Sequence, residues 1–177
     1  MMADKRQRVG LVHVYTGDGK GKTTAALGLA LRAAGYGLRT VVIQFIKART
    51  CGEHQACLRL EPDVTIMQMG DGFVLDTAND NQRYHAVQAL VMAEEVLSDG
   101  QTDVLILDEI NCAISCGLIA LKDVMRLIQR RPSHMELVLT GRGAPYELCQ
   151  QADLVTQMNA VKHPYDEGVP ARRGIDY

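Results

Sequence analysis

Apolar residues along this chain fall alternately into short dense runs and longer stretches with helical spacing. Val9–Tyr15 (VGLVHVY), Arg39–Phe45 (RTVVIQF), Asp63–Met69 (DVTIMQM), Asp103–Asp108 (DVLILD), Glu136–Thr140 and Leu154–Met158 are short and predict strands. Lys22–Ala34, built on Ala and Leu, predicts a helix, as do Gln82–Leu97 and Ala144–Gln151. Leu121, Val124, Met125 and Ile128 repeat at i, i+3, i+4 and i+7, which is one face of a further helix. The breaks Gly35-Tyr36-Gly37, Ser98-Asp99-Gly100 and Arg130-Arg131-Pro132 separate these elements.

Strands alternating with helices, the strands apolar nearly throughout, predict an α/β fold whose mostly parallel sheet is covered on both faces. At roughly 30 residues per strand–helix unit, the chain holds five or six strands. One domain, 1–177, is expected, with an α/β core over 9–158. Ala48–Glu61 reads as a polar loop. The tail Asn159–Tyr177, which carries Pro164 and Pro170, reads as irregular chain lying over the site.

Composition narrows the class. The 177 residues carry 19 Lys+Arg against 21 Asp+Glu, a formal charge of −2, with 47% hydrophobic and 23% charged residues. These values fit a globular protein and argue against disorder and against nucleic-acid binding through a broad basic face. No apolar run reaches the ~18–20 residues of a membrane span, so no membrane partner is expected. The charged start (MMADKRQR) and five cysteines, an odd number, suit reduced thiols and a cytoplasmic location.

The strongest chemical signal is Thr16-Gly17-Asp18-Gly19-Lys20-Gly21-Lys22-Thr23-Thr24, set between the first strand and the first helix. Glycines there let backbone N–H groups converge on phosphate oxygens, and the helix adds its positive N-terminus. Lys22 would reach adjacent phosphates and Thr23 would ligate Mg²⁺. The match to G-x-x-x-x-G-K-[ST] is not strict: Thr16 stands at the first glycine, and Lys20 is an additional lysine inside the loop. Val104–Glu109 (VLILDE) ends an apolar strand in two acids, as a Walker B segment does, either to hold Mg²⁺ or with Asp108 as a helix N-cap. Together the two segments read as a Mg-nucleotide site.

YTGDGKGKTTAALGLALRAAGYG, VVIQFIK, Gly72-Phe73, LDE at 107–109, TGRG at 140–143 and the terminal VKHPYDEGVPARRGIDY together resemble the P-loop class of ATP:corrinoid adenosyltransferases, from about Leu11 to Tyr177. The resemblance implies a RecA-like fold and transfer of the 5′-deoxyadenosyl group of ATP to Co(I) of a reduced corrinoid, with release of triphosphate. Mg-ATP is the co-substrate. It also implies a homodimer, a reduced flavoprotein as electron donor, and a loop that holds ATP in reversed sense. Carried over by motif, Gly17, Asp18, Gly19, Lys20, Gly21, Lys22, Thr23 and Thr24 bind the phosphates. Lys22, Thr23 and Glu109 are catalytic, Thr23 and Glu109 hold Mg²⁺, and Asp108 supports them. Phe73 falls where the family uses an apolar wedge to move the lower axial ligand off cobalt; the second wedge position, aromatic in relatives, is Leu75. About ten residues precede the first strand, so a cover from that side would be partial, absent or supplied by a partner subunit.

The chemistry needs no general base, because Co(I) is itself the nucleophile. The protein's tasks are to align cobalt with C5′ and to stabilise the charge growing on the leaving triphosphate. A P-loop small-molecule kinase or NTPase, releasing ADP or AMP, is the alternative, and a nucleotide-sensing module without chemistry is a third reading. Arg142 reads either as a phosphate or carboxamide contact or as a surface residue, and Lys162, His163, Arg172 and Arg173 either as ligand-covering or as solvated. Cys51-x-x-His54-x-x-Cys57 offers three metal ligands at irregular spacing and reads as plain loop. Cys112 and Cys116, i and i+4 on a helix, read as small buried hydrophobes.

Overall fold

Parallel strands cannot be joined by tight turns, so each pair needs a crossover, and helices with one apolar face supply it. The computed structural model describes residues 8–72 and 78–177. Its strands are β1 (Val12–Thr16), β2 (Thr40–Gln44), β3 (Val64–Gln68), β4 (Val104–Asp108), β5 (Glu136–Thr140) and β6 (Leu154–Gln157). Its helices are α1 (Lys22–Ala34), α2 (Gly52–Cys57), α3 (Asp80–Asp99), α4 (Ile110–Ser115), α5 (Leu121–Arg130) and α6 (Tyr146–Gln151). The six strands form one sheet in the order β3-β2-β4-β5-β1-β6, parallel at every pairing. This is the α/β class expected, with six strands and a sheet parallel throughout.

Side-chain alternation divides the core into two layers. Leu105 and Leu107 of β4 pack with Ile43, Leu137 and Leu139 beneath α3 and α5. Val104 and Ile106 face the other way, with Val42 and Val138, against Ala26, Ala30 and Ala33 of α1. Those alanines lie on one side of the helix and let it approach the sheet closely. β6, at the sheet edge, is exposed at all of its residues.

Two boundaries differ from the sequence pattern. β1 begins at Val12 rather than Val9, because two carboxylates take the first N–H groups that a longer ladder would use. Leu11 N–H donates to Glu136 Oε2 at 3.2 Å and Val12 N–H to Asp153 Oδ2 at 2.8 Å. The loop expected at Ala48–Glu61 contains α2, which the pattern hides because its six residues place only Cys57 in the core. Beyond β6 the chain passes through a short 3-10 turn at Pro164–Glu167. β5 lies between β4 and β1. The order therefore sets the loop after β1 and the acids ending β4 two strands apart at the same end of the sheet, where open α/β sheets bind ligands.

Candidate active site

The loop leaving β1 is held open by its own geometry. Gly17 has φ 93, and a Cβ there would lie 2.4 Å from Met158 O, so both backbone conformation and space require glycine. Gly21 N-caps α1 with φ 120, and no side chain caps the helix. The first-turn N–H groups are thereby left to an anion. Lys22, 7% exposed, donates from Nζ to Gly17 O and Gly19 O, each at 2.7 Å. Burial pulls its ammonium below the ordinary lysine range, and the Glu109 carboxylate opposes that pull.

Across the sheet end stands Asp108, whose residue is 0% exposed. Its Oδ1 accepts from Thr23 Oγ1 and from Thr140 Oγ1, both at 2.7 Å. Its Oδ2 accepts from Gln44 Nε2 at 3.0 Å and lies 3.5 Å from Lys47 Nζ. A fully buried carboxylate is tolerable only when paired and hydrogen-bonded, and this one is tied to α1, β2, β5 and the chain after β2. Glu109 follows at φ 64, the one left-handed non-glycine among the described residues. Its N–H donates to Thr140 Oγ1 at 3.0 Å, and its Oε2 accepts from Cys112 Sγ at 2.8 Å. Glu109, not Asp108, is the N-cap of α4, which removes the capping alternative for Asp108.

Thr23 and Glu109 border a cavity of about 650 Å³ with Lys20, Lys22, Lys47 and Arg142 as cations and Glu53 and Asp176 as further acids. Lys47 Nζ donates to Glu53 Oε1 at 2.7 Å, which docks α2 beside the acids. Burial opposes the Lys47 charge, but the Asp108 and Glu53 carboxylates outweigh it and raise its pKa. Burial likewise acts to raise the Glu53 pKa, and the Lys47 hydrogen bond reverses it, so that the net shift is downward.

A model of the family described as ATP:corrinoid adenosyltransferase BtuR/CobO/CobP matches residues 8–177. The corrinoid adenosyltransferase of Pseudomonas aeruginosa is 37% identical over 99% of this chain and 88% of its own length. The corrinoid adenosyltransferase of Escherichia coli (strain K12) and corrinoid adenosyltransferase CobA of Salmonella typhimurium (strain LT2) are also 37% identical, each over 99% of this chain and 90% of their own length. The chain belongs to this family of ATP:corrinoid adenosyltransferases.

Of the residues that the family motifs mark, Gly19, Lys20, Gly21, Lys22, Thr23, Thr24 and Glu109 line the cavity of this adenosyltransferase-family chain. Gly17 lies behind them, in contact with Lys22 through its carbonyl. Asp18 turns outward: its side chain is 88% exposed, and its carboxylate meets Arg142 at 3.9 Å, a solvated pair of small energetic weight. Asp108 lies beneath the cavity floor. Phe73 and Leu75 lie outside the described residues. Gln44, Lys47, Glu53, Thr140 and Asp176 had no role in the sequence reading. All but Glu53 lie within the segments that carry the family resemblance, and only the fold shows what they touch. Of the tail residues, His163 lines the cavity, whereas Lys162 is 79% exposed and pairs with Glu167 at 3.1 Å.

The cysteines correct the sequence reading. Cys112 is half-buried, packing against the edge of the core while also lining the cavity, whereas Cys116 is exposed and only lines the cavity. Cys57 does enter the α1-side core, so Cys51, His54 and Cys57 do not form one cluster; Cys51, Glu53 and His54 approach instead. Helix capping accounts for that approach: His54 Nδ1 accepts from Cys51 N–H at 2.9 Å, while Glu53 is engaged by Lys47. Burial, and then the Glu109 carboxylate, pushes the Cys112 thiol up to about 12. Little of it is thiolate at pH 8, and the thiolate is the reactive form. Iodoacetamide at pH 8 is therefore expected to modify Cys116 well before Cys112, as read by peptide mapping. Equal rates at the two sites would contradict the geometry.

Proposed function

We propose that this chain transfers the 5′-deoxyadenosyl group of ATP to Co(I) of a reduced corrinoid and releases triphosphate, within cobalamin biosynthesis. The observation that carries the reading is the gathering of four cations, one of them buried in the loop, along a cavity that also holds the acids Glu53, Glu109 and Asp176. A buried lysine folded into the phosphate loop, with Lys20, Lys47 and Arg142 around it, suits a leaving group that gains negative charge as the C5′–O bond breaks. Lys22 and the first-turn N–H groups of α1 bind and orient the phosphates. Arg142 and Lys20 close on them from the sides. The family match supports this reading over a kinase or NTPase.

The donor set fits Mg²⁺, a hard ion that takes few carboxylates and keeps several waters. Thr23 Oγ1 and the Glu109 carboxylate would hold it, while Asp108, through its hydrogen bond to Thr23, fixes the hydroxyl. When bound, the ion neutralises phosphate charge. Asp108 serves from beneath, since both of its oxygens already accept hydrogen bonds.

The family resemblance further supports a homodimer that receives its electron from a reduced flavoprotein. Five free cysteines support a reducing, cytoplasmic setting. Among the described residues no helix is long and apolar enough to cross a membrane. Incubation with Mg-ATP and chemically reduced corrinoid tests the reaction. The optical change of cobalt–carbon bond formation is expected to accompany equimolar triphosphate. Release of ADP independent of corrinoid would overturn the reading.

A further inference from the structure

The two least ordinary features of the sequence, Lys20 inside the phosphate loop and the terminal Gly174-Ile175-Asp176-Tyr177, meet in the fold. Lys20 Nζ donates to Ile175 O at 3.0 Å and forms an ion pair with the Asp176 carboxylate. The other oxygen of that carboxylate, Oδ2, accepts from Arg172 N–H at 2.8 Å and Arg172 Nε at 3.1 Å. The turn that presents it is closed by Asp176 N–H to Arg172 O and Gly174 N–H to Tyr177 O, each at 2.8 Å. Asp176 thus faces its own turn with one oxygen and the phosphate loop with the other. Lys20 and Arg172 hold its carboxyl well below the usual carboxylate range, so it stays charged at neutral pH.

The segment 158–177 grips the loop at both ends. At its start, Gly19 N–H donates to Met158 O and Met158 N–H to Thr16 O, each at 2.8 Å. At its end, the terminal turn returns to Lys20. Lys20 and Asp176 also border a second cavity of about 240 Å³ beneath Pro164, Tyr165 and Val169, so their contact forms part of the wall between it and the main cavity.

We propose that Asp176 is a positioning residue that steers the Lys20 ammonium across the mouth of the phosphate loop, so that the triphosphate of the nucleotide is clamped between the loop and the chain's last turn. A lysine free in solvent loses rotamer freedom when it binds phosphate; one already held by a carboxylate loses less. The inference rests on the proposed nucleotide function of this cavity and adds an agent to it.

Inorganic tripolyphosphate binding, measured by calorimetry in Mg²⁺ without corrinoid, tests the clamp separately from the transfer reaction. Asp176→Ala is expected to weaken binding about tenfold, the scale of one lost charge-assisted contact. Asp176→Asn, which keeps an acceptor for Lys20, falls between it and the parent. The Lys20→Ala, Asp176→Ala pair is expected to bind no worse than Lys20→Ala alone, since the carboxylate acts through the lysine. With reduced corrinoid, KM for ATP rises in Asp176→Ala while kcat changes less than about twofold. Lys162→Ala, exposed in the same segment, serves as the control and is expected to bind like the parent. Tighter tripolyphosphate binding by Asp176→Ala or Asp176→Asn would mark the carboxylate as a competitor for Lys20 and overturn the proposal. So would additive losses in the double variant. If tripolyphosphate binding responds as expected but no adenosyl transfer occurs in the parent, the transfer reading fails and the clamp stands.

Discussion

Replacing Lys22 with alanine is expected to lower kcat/KM for adenosyl transfer by about 10²–10³-fold, the cost of losing one preorganised donor at a developing charge. The ammonium is already in place before any ligand arrives: 7% exposed and bridging Gly17 O and Gly19 O at 2.7 Å each. Alanine removes both the proposed phosphate contact and the tie that curls the loop. Lys22→Arg is not expected to rescue, because a planar guanidinium cannot replace a compact ammonium between two converging carbonyls. The fold is expected to survive. Gly19 lies on the cavity wall and Gly17 just behind it, and the space the side chain vacates admits water to both carbonyls, so the thermal midpoint should move by no more than about 4 °C, equivalent to about 1–2 kcal/mol. Tripolyphosphate calorimetry and a melting curve check the two halves. Undiminished transfer would refute the site assignment, and a collapsed melting curve would make the lysine a structural residue instead.

The second large effect separates two adjacent acids. Asp108→Ala is expected to cost about 3–5 kcal/mol of stability, because it leaves Thr23, Thr140, Gln44 and the nearby Lys47 ammonium without their shared acceptor in a fully buried position. For a chain of this size that is a fall of at least about 6 °C in the melting midpoint. Glu109→Gln is expected to leave the midpoint within about 2 °C, since the backbone is unchanged and the amide oxygen still accepts from Cys112. Its loss should appear in the metal: apparent Mg²⁺ affinity in the transfer assay falls by about tenfold or more, and raising Mg²⁺ restores part of the rate. The Glu109 backbone at φ 64 supports the division, since strained non-glycine conformations concentrate at functional positions. If both variants lost the same stability, the assignment of one acid to scaffold and the other to metal would be wrong.

Much of this architecture was legible one segment at a time. The dense run at 103–108 reads as a strand buried on both faces, and all of its residues are buried. α1 matches its pattern from Lys22 to Ala34, because the phosphate loop gives it an unmistakable start and Gly35-Tyr36-Gly37 an end. α2 was not legible: six residues with a single core side chain carry too short a pattern to separate from loop. The cysteine pair after β4 misled for a related reason. Helical spacing says that Cys112 and Cys116 share a face, but not whether that face meets the core or the cavity.

The sequence by itself determined the six strands and the longer helices, that the sheet is mostly parallel, and that a glycine-rich loop opens the first helix, because each depends on side-chain period or backbone freedom within a few residues. Tertiary structure alone decided the partners. Thr23 meets Asp108 across 85 residues and Lys20 meets Asp176 across 156. Such contacts follow from the strand order β3-β2-β4-β5-β1-β6, which is settled by packing two whole layers of core at once. No local pattern carries that information, so the roles of Asp108 as buried anchor and of the last turn as clamp appear only when the sheet is assembled.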